Sequence, residues 1–85
     1  MISNEIYSIQ DNSIQKKIRS LPPASKFVLY LLKKIGPLTQ KEIIKKTLLP
    51  KRTVVYSLKK LYDDNFIKKV NYEKDKRVRF YEILI

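Results

Sequence analysis

The chain has 85 residues, no cysteine and no histidine, and 19 Lys plus Arg against 8 Asp plus Glu, a formal net charge of +11. A length like this supports one modest core, and the missing residue types exclude disulfides, thiolate nucleophiles, Ser-His-Asp chemistry and nearly every zinc site. So large a basic excess on so small a body attracts polyanions, and the partner it predicts is nucleic acid.

The first eight residues, "MISNEIYS", lack both the basic start and the apolar stretch of a signal peptide. The longest apolar run, "FVLYLL", is too short to cross a bilayer. A cytoplasmic, nucleoid-associated protein with no membrane partner is therefore expected. Two apolar triplets at i, i+4, i+7 follow, Ile2/Ile6/Ile9 and Ile14/Ile18/Leu21, out of phase and separated by "DNS", which offers two N-cap residues. The pattern predicts an irregular start and a short helix over about 13–20, stopped by "LPP" because the residue before a proline avoids helical angles.

A second helix is predicted over 23–35. Proline is tolerated in its first turn, Val28, Leu31, Leu32 and Ile35 supply a core stripe, and Gly36, the one glycine in the chain, falls where the helix ends before Pro37. Phe27, Leu29 and Tyr30 leave this helix apolar almost all round, which suggests cover by the N-terminal segment or a subunit interface. "LTQKEIIKKTLL" opens a third helix with a capping box between Thr39 and Glu42, Ile43 and either Leu48 or Leu49 pointing inward.

After a short turn, "KRTVVYSLKKLYDD" predicts a fourth helix over 51–64, ending at Asn65, a residue that tolerates left-handed angles. Its two faces differ. Val54, Leu58 and Leu61 recur at core spacing, and Arg52, Val55, Tyr56 and Lys59 line the other side. "FIKKVNY" and "RVRFYEILI" then alternate or nearly so around the charged "EKDK", predicting a two-stranded hairpin. With no glycine available, a loop of about three to five residues is expected there. Tyr81 and Ile83 are the expected inward face.

The order helix, capped helix, short turn, helix, hairpin is that of a winged helix-turn-helix. The run "GPLTQKEIIKKTLLPKRTVVYSLKKLYDDNFIKKV" resembles MarR-like and ArsR-like transcriptional regulators, particularly short archaeal winged-helix proteins with an "LPPxxK" lead-in, here "LPPASK". The likeness runs from Leu21 to about Leu84. Asn65 stands where such proteins often have glycine, and no long C-terminal helix of the kind full-length MarR proteins use to dimerise follows the hairpin. The expected fold class is mainly α with a β-hairpin (α+β): three core helices, a two-stranded wing and an N-terminal extension. Residues 1–21 would form that extension, with a possible short helix and dimer contact, and residues 22–85 the DNA-binding domain.

The resemblance implies that helix 51–64 lies in the major groove, N-terminal residues nearest the base edges. Each exposed side chain suits a role there. Arg52 can fork onto guanine, Val55 can touch a thymine methyl, Tyr56 can bond a base or phosphate, and Lys59 and Lys60 can neutralise phosphates. Lys51 and Thr53 at the helix start are expected phosphate contacts, as are Gln40 and Lys41 on the preceding helix. Wing 73–79 places Lys74, Lys76, Arg77 and Arg79 toward the minor groove or its backbone. Three of the chain's four arginines thus fall in these two segments, and arginine suits bidentate contacts.

Plainer readings compete. Val55 and Tyr56 could pack a neighbouring chain, Lys59 and Lys60 could pair with Asp63 and Asp64, Gln40 and Lys41 could form a solvated first turn, and Lys74 and Lys76 could keep a sheet edge from aggregating. Residues 1–21 carry only +1 of the charge, so the basic surface belongs to the folded part. The function expected is a homodimeric, sequence-specific regulator of double-stranded DNA, acting as a repressor, with no catalysis, metal or cofactor. A non-specific architectural binder, or a winged-helix module of a protein or RNA complex, is the alternative.

Overall fold

The computed structural model describes residues 12–85, with side chains from residue 14 onward, so the Ile2/Ile6/Ile9 triplet lies outside the described residues. Helix α1 (Asn12–Arg19) leads through Leu21 and Pro22 into α2 (Pro23–Ile35). Next come a short strand β1 (Leu38–Thr39), α3 (Gln40–Thr47), α4 (Lys51–Asp63) and the strands β2 (Ile67–Tyr72) and β3 (Asp75–Ile83).

The predicted stops are physical ones. Pro23 occupies the first turn of α2, and Gly36 closes it at φ 106° while donating its N–H to the Leu32 carbonyl at 2.9 Å. The capping box of α3 forms in both directions: the Glu42 N–H donates to Thr39 Oγ1 at 3.2 Å and the Thr39 N–H to Glu42 Oε1 at 2.9 Å. At the end of α4, Asn65 adopts φ 64°, the Phe66 N–H donates to the Leu61 carbonyl at 2.9 Å and the Asn65 N–H to that of Tyr62 at 3.1 Å. This is a Schellman ending, with the buried Leu61 and Phe66 at the positions whose contact accompanies it. Asparagine replaces the usual glycine at little cost because its short polar side chain tolerates the left-handed region.

The sheet has three strands, all antiparallel, in the order β1-β3-β2. Beyond the expected hairpin, β1 adds a two-residue strand in which Leu38 and Thr39 oppose Tyr81 and Phe80. So short a strand carries no periodicity of its own. The loop expectation is corrected: the strands are joined across only Glu73 and Lys74, and the register slips, Asn71 opposing Arg79 while Tyr72 opposes Asp75. Leu48 and Asn65 are the only non-glycine residues at positive φ among those described, so Glu73 and Lys74 do not form the type I′ turn that needs left-handed residues. Residues expected in the loop are taken up by β3, whose Lys76, Arg77 and Val78 fall between the two registers.

The core gathers Ile18 and Leu21 from the α1 end, Val28, Leu29 and Leu32 from α2, Leu38, Ile43, Val54, Leu58 and Leu61, and Phe66 and Ile67. Tyr81 and Ile83 pack against it as the strand pattern predicts. On α2 the buried stripe is Ser25, Val28, Leu29 and Leu32, with Leu31 partly buried and Ile35 half exposed. The buried stripe lies about 60° round the helix axis from the expected one, so that Leu29, not Ile35, joins the core. Of the two leucines after α3, Leu49 points inward, and Leu48 stands out in solvent at φ 59°.

Candidate nucleic-acid interface

Three residues separate α3 from α4, and their path is fixed by hydrogen bonds. Thr47 Oγ1 donates to the Ile43 carbonyl at 2.7 Å and accepts from the Leu49 N–H at 3.2 Å. Leu48 closes α3 in the left-handed conformation, and Pro50 presets the entry to α4. On α4 the buried side is Val54, Ser57, Leu58 and Leu61, each 3% exposed or less. Each apolar member contributes about 1.5 to 3 kcal/mol by leaving water, an upper estimate. That seat fixes the rotation of the helix, and with it the identity of the outward side.

The outward side carries Arg52, Val55, Tyr56 and Lys59. All four are exposed, Tyr56 at 60% and Val55 at 42%. An exposed valine and tyrosine beside cations form a surface with both apolar and charged reach. Lys51 is also exposed at the helix start, with Thr53 partly covered. Lys60 lies about 80° round the helix from Arg52, on the flank. The pairs expected as the plainer alternative are present: Lys59 Nζ to Asp63 Oδ2 and Lys60 Nζ to Asp64 Oδ2, each 3.2 Å. The first pair is exposed and the second partly so; surface pairs with lysine preceding aspartate are worth about a few tenths of a kcal/mol, so they leave the ammonium groups available to a stronger anion.

Two adjoining concavities connect α4 to the hairpin. One, of about 270 Å³, is lined by Gln40, Val55, Leu58, Lys59, Tyr62, Asp63, Lys69 and Tyr81. The other, of about 350 Å³, is lined by Gln40, Arg77, Arg79 and Tyr81. Gln40 and Tyr81 belong to both, so the start of α3 and the middle of β3 form a saddle between helix and wing. Lys41 is exposed beside Gln40, and Lys74 and Lys76 are exposed on the hairpin.

Arg77 is the most constrained of these cations. Asp75 accepts its backbone N–H at 3.0 Å, its Nε at 3.1 Å and, through the second oxygen, its Nη2 at 3.2 Å, while the Arg77 side chain stays 90% exposed. The Arg77 side chain and then its backbone hydrogen bond hold the Asp75 carboxyl below its ordinary value of 3.8. Asp75 does not stand out in the sequence, although only Lys76 separates it from Arg77, an i, i+2 spacing that returns a strand to the same face. Nor does Lys69, whose ammonium sits 4.3 Å from the centre of the Tyr62 ring. The signal for that contact is the register, which sets Lys69 opposite Tyr81 on the inner side of the hairpin.

Thirteen side chains were expected to meet nucleic acid. The fold brings Gln40, Val55, Lys59, Arg77 and Arg79 around the two concavities and sets Lys51, Arg52 and Tyr56 on the exposed part of α4. Lys41, Lys60, Lys74 and Lys76 lie outside the concavities, and Thr53 is half covered at the helix start. Among the described residues, no group of His, Cys, Asp or Glu could hold a metal ion, and no helix is long and apolar enough to cross a membrane.

The model of the MarR family matches residues 21–78. No curated relative matches the sequence. Among solved structures, a transcriptional regulator of Thermotoga maritima, Tm0710, superposes with a TM-score of 0.73 at 24% identity, covering 80% of this chain and 48% of its own. The YusO protein of Bacillus subtilis gives 0.70 at 26% identity over 99% of this chain and 69% of its own. BpsR of Bordetella bronchiseptica gives 0.72 at 20% identity over 76% of this chain and 46% of its own. The chain spans about half the length of the first of these structural relatives.

Proposed function

Because the chain belongs to the MarR family, we propose that it is a sequence-specific transcriptional regulator of double-stranded DNA, with α4 as its recognition helix. One observation carries this most: α4 is seated by Val54, Leu58 and Leu61 and keeps Arg52, Val55, Tyr56 and Lys59 in solvent. A side of that composition has no use in a monomer's own packing. It matches what a major groove presents: acceptors on guanine, thymine methyls, and flanking phosphates. The Bordetella bronchiseptica structure concerns the regulation of DNA binding by 6-hydroxynicotinic acid, which supports DNA as the partner class.

In this account helix 51–64 enters the major groove, and wing 73–79 reaches the adjacent minor groove or its backbone with Arg77 presented by Asp75. The protein acts as a cytoplasmic homodimer on half-sites about one helical turn apart, residues 1–21 supply the dimer contact, residues 22–85 form the DNA-binding domain, and occlusion of a promoter gives repression. The "LPPASK" lead-in supports kinship with short archaeal regulators. Contact with DNA is non-catalytic and needs no cofactor.

The test is selection of bound duplexes from a random pool, followed by titration of the selected and a scrambled duplex across salt concentrations. Sequence-specific readout predicts a common sequence among survivors and a persistent affinity ratio between the two duplexes, on the order of 10³ or more. A ratio near unity at every salt concentration identifies an architectural binder, since counterion release carries no sequence information. No binding to any duplex at low salt identifies a module of another complex.

A further inference from the structure

We propose that the cleft between α4 and the sheet seats one backbone phosphate of the duplex, held by Lys69 and Lys59, and that Asp63 stands in for this anion while the protein is free. The inference rests on the DNA-binding reading above. It adds a contact, Lys69, and a competitor, Asp63, to the surface that reading uses.

The cleft has cations on two walls. Lys59 reaches it from α4, and Lys69 from β2, where its ammonium rests on the Tyr62 ring, 4.3 Å from the centroid. A ring face orients an ammonium without neutralising it, so Lys69 is positioned while its charge is uncompensated by a carboxylate. Lys59 is compensated, by Asp63 at 3.2 Å, and Asp63 lines the same cleft. Asp63 lies only about 20° round α4 from Arg52, on the outward side. An acid there repels a polyanion, and a carboxylate bound to Lys59 occupies a phosphate's place with the same charge and the same acceptor oxygens. Exchange of one for the other leaves Lys59 paired throughout.

The occupant is a duplex phosphate rather than an isolated anion because of what adjoins the cleft. Gln40 and Tyr81 are shared with the concavity that contains Arg77 and Arg79. A strand leaving α4 therefore passes over Gln40 and Tyr81 toward two arginines, a continuous basic path that a free anion does not require.

The test uses the full chain and a duplex selected by it from a random pool. At each half-site Lys69→Gln weakens binding about 5- to 10-fold near 0.1 M salt and lowers the slope of log affinity against log salt by about 0.9, the signature of one lost phosphate contact, and a dimer on two half-sites shows twice that change in slope. Lys69→Arg retains wild-type affinity and slope. Asp63→Asn tightens binding a few-fold, and does not do so when combined with Lys59→Gln. Duplexes carrying a neutral methylphosphonate linkage at the same position of both half-sites, one position at a time, locate the phosphate: at one position the neutral linkage and Lys69→Gln together cost no more than the neutral linkage alone. Circular dichroism checks that each variant keeps its fold.

Additive losses at every linkage, or Lys69→Gln binding like wild type while wild type binds the duplex, overturn the inference and leave the DNA-binding reading in place. Failure of the wild type to bind any duplex overturns both. Perturbation of the Lys69 signals by inorganic phosphate that the selected duplex does not displace marks a free-anion site and also overturns the assignment.

Discussion

Replacing Arg52 with alanine separates recognition from folding. Arg52 is exposed on the first turn of α4, and among the described residues it makes no hydrogen bond or ion pair. Its removal takes no buried surface with it. The first turn of a helix also disfavours a cation by a few tenths of a kcal/mol, and alanine is the best helix former. The change in folding stability should therefore stay within about 0.5 kcal/mol of zero, or be slightly favourable. Binding behaves differently, because a guanidinium forked onto guanine is worth about 1 to 3 kcal/mol of discrimination. That corresponds to about a 5- to 150-fold loss on the selected duplex at each half-site. A dimer occupying two half-sites loses the two costs together. Fluorescence anisotropy on the selected and a scrambled duplex, beside thermal melts of both proteins, measures each quantity. Equal losses on both duplexes, or none on either, would refute base reading by Arg52.

Thr39→Ala removes the hydroxyl that caps the Glu42 N–H and should destabilise the fold by about 1 kcal/mol, lowering the melting temperature of so small a domain by about 4 to 8 °C. Thr39→Ser, which keeps the oxygen, should melt near wild type. Ser57 is buried on α4, and its hydroxyl has no hydrogen-bond partner, so Ser57→Ala should be neutral or stabilising by up to about 1 kcal/mol in chemical denaturation. A loss larger than that would mean the hydroxyl is bonded. The Asp75 carboxyl should titrate below 3.8 when followed by carbon NMR. Its support of Arg77 is complete above the unfolded value and disappears as pH falls through the lowered one. A midpoint at or above 3.8 would mean the clasp does not form in solution.

The helices were legible because each of their limits is a local chemical event. Pro23, Gly36, the Thr39–Glu42 box and Asn65 act on the backbone within a turn of themselves, and so does the core spacing of Val54, Leu58 and Leu61. What escaped the sequence depends on distant residues. Whether Leu29 or Ile35 faces the core is decided by where α4 and the sheet lie against α2, and both residues are apolar. Strand β1 exists only because Tyr81 and Phe80 pass beside Leu38 and Thr39. The hairpin connection eluded the count of turn residues because the slip of register lies within β3, beyond the turn itself. In the candidate interface, the outward side of α4 was readable from helical period alone. Lys69 and Asp75 were not, since their importance arises from a cross-strand register and a side-chain clasp.

The central claim, that the outward side of α4 meets the duplex, is tested most directly by backbone and side-chain NMR of the labelled protein titrated with the selected DNA. The account predicts the largest shifts at Arg52, Val55, Tyr56 and Lys59, with smaller ones at Arg77 and Arg79. Shifts concentrated at Phe27, Tyr30 and Ile35 of α2, with the α4 signals unmoved at saturating DNA, would contradict it.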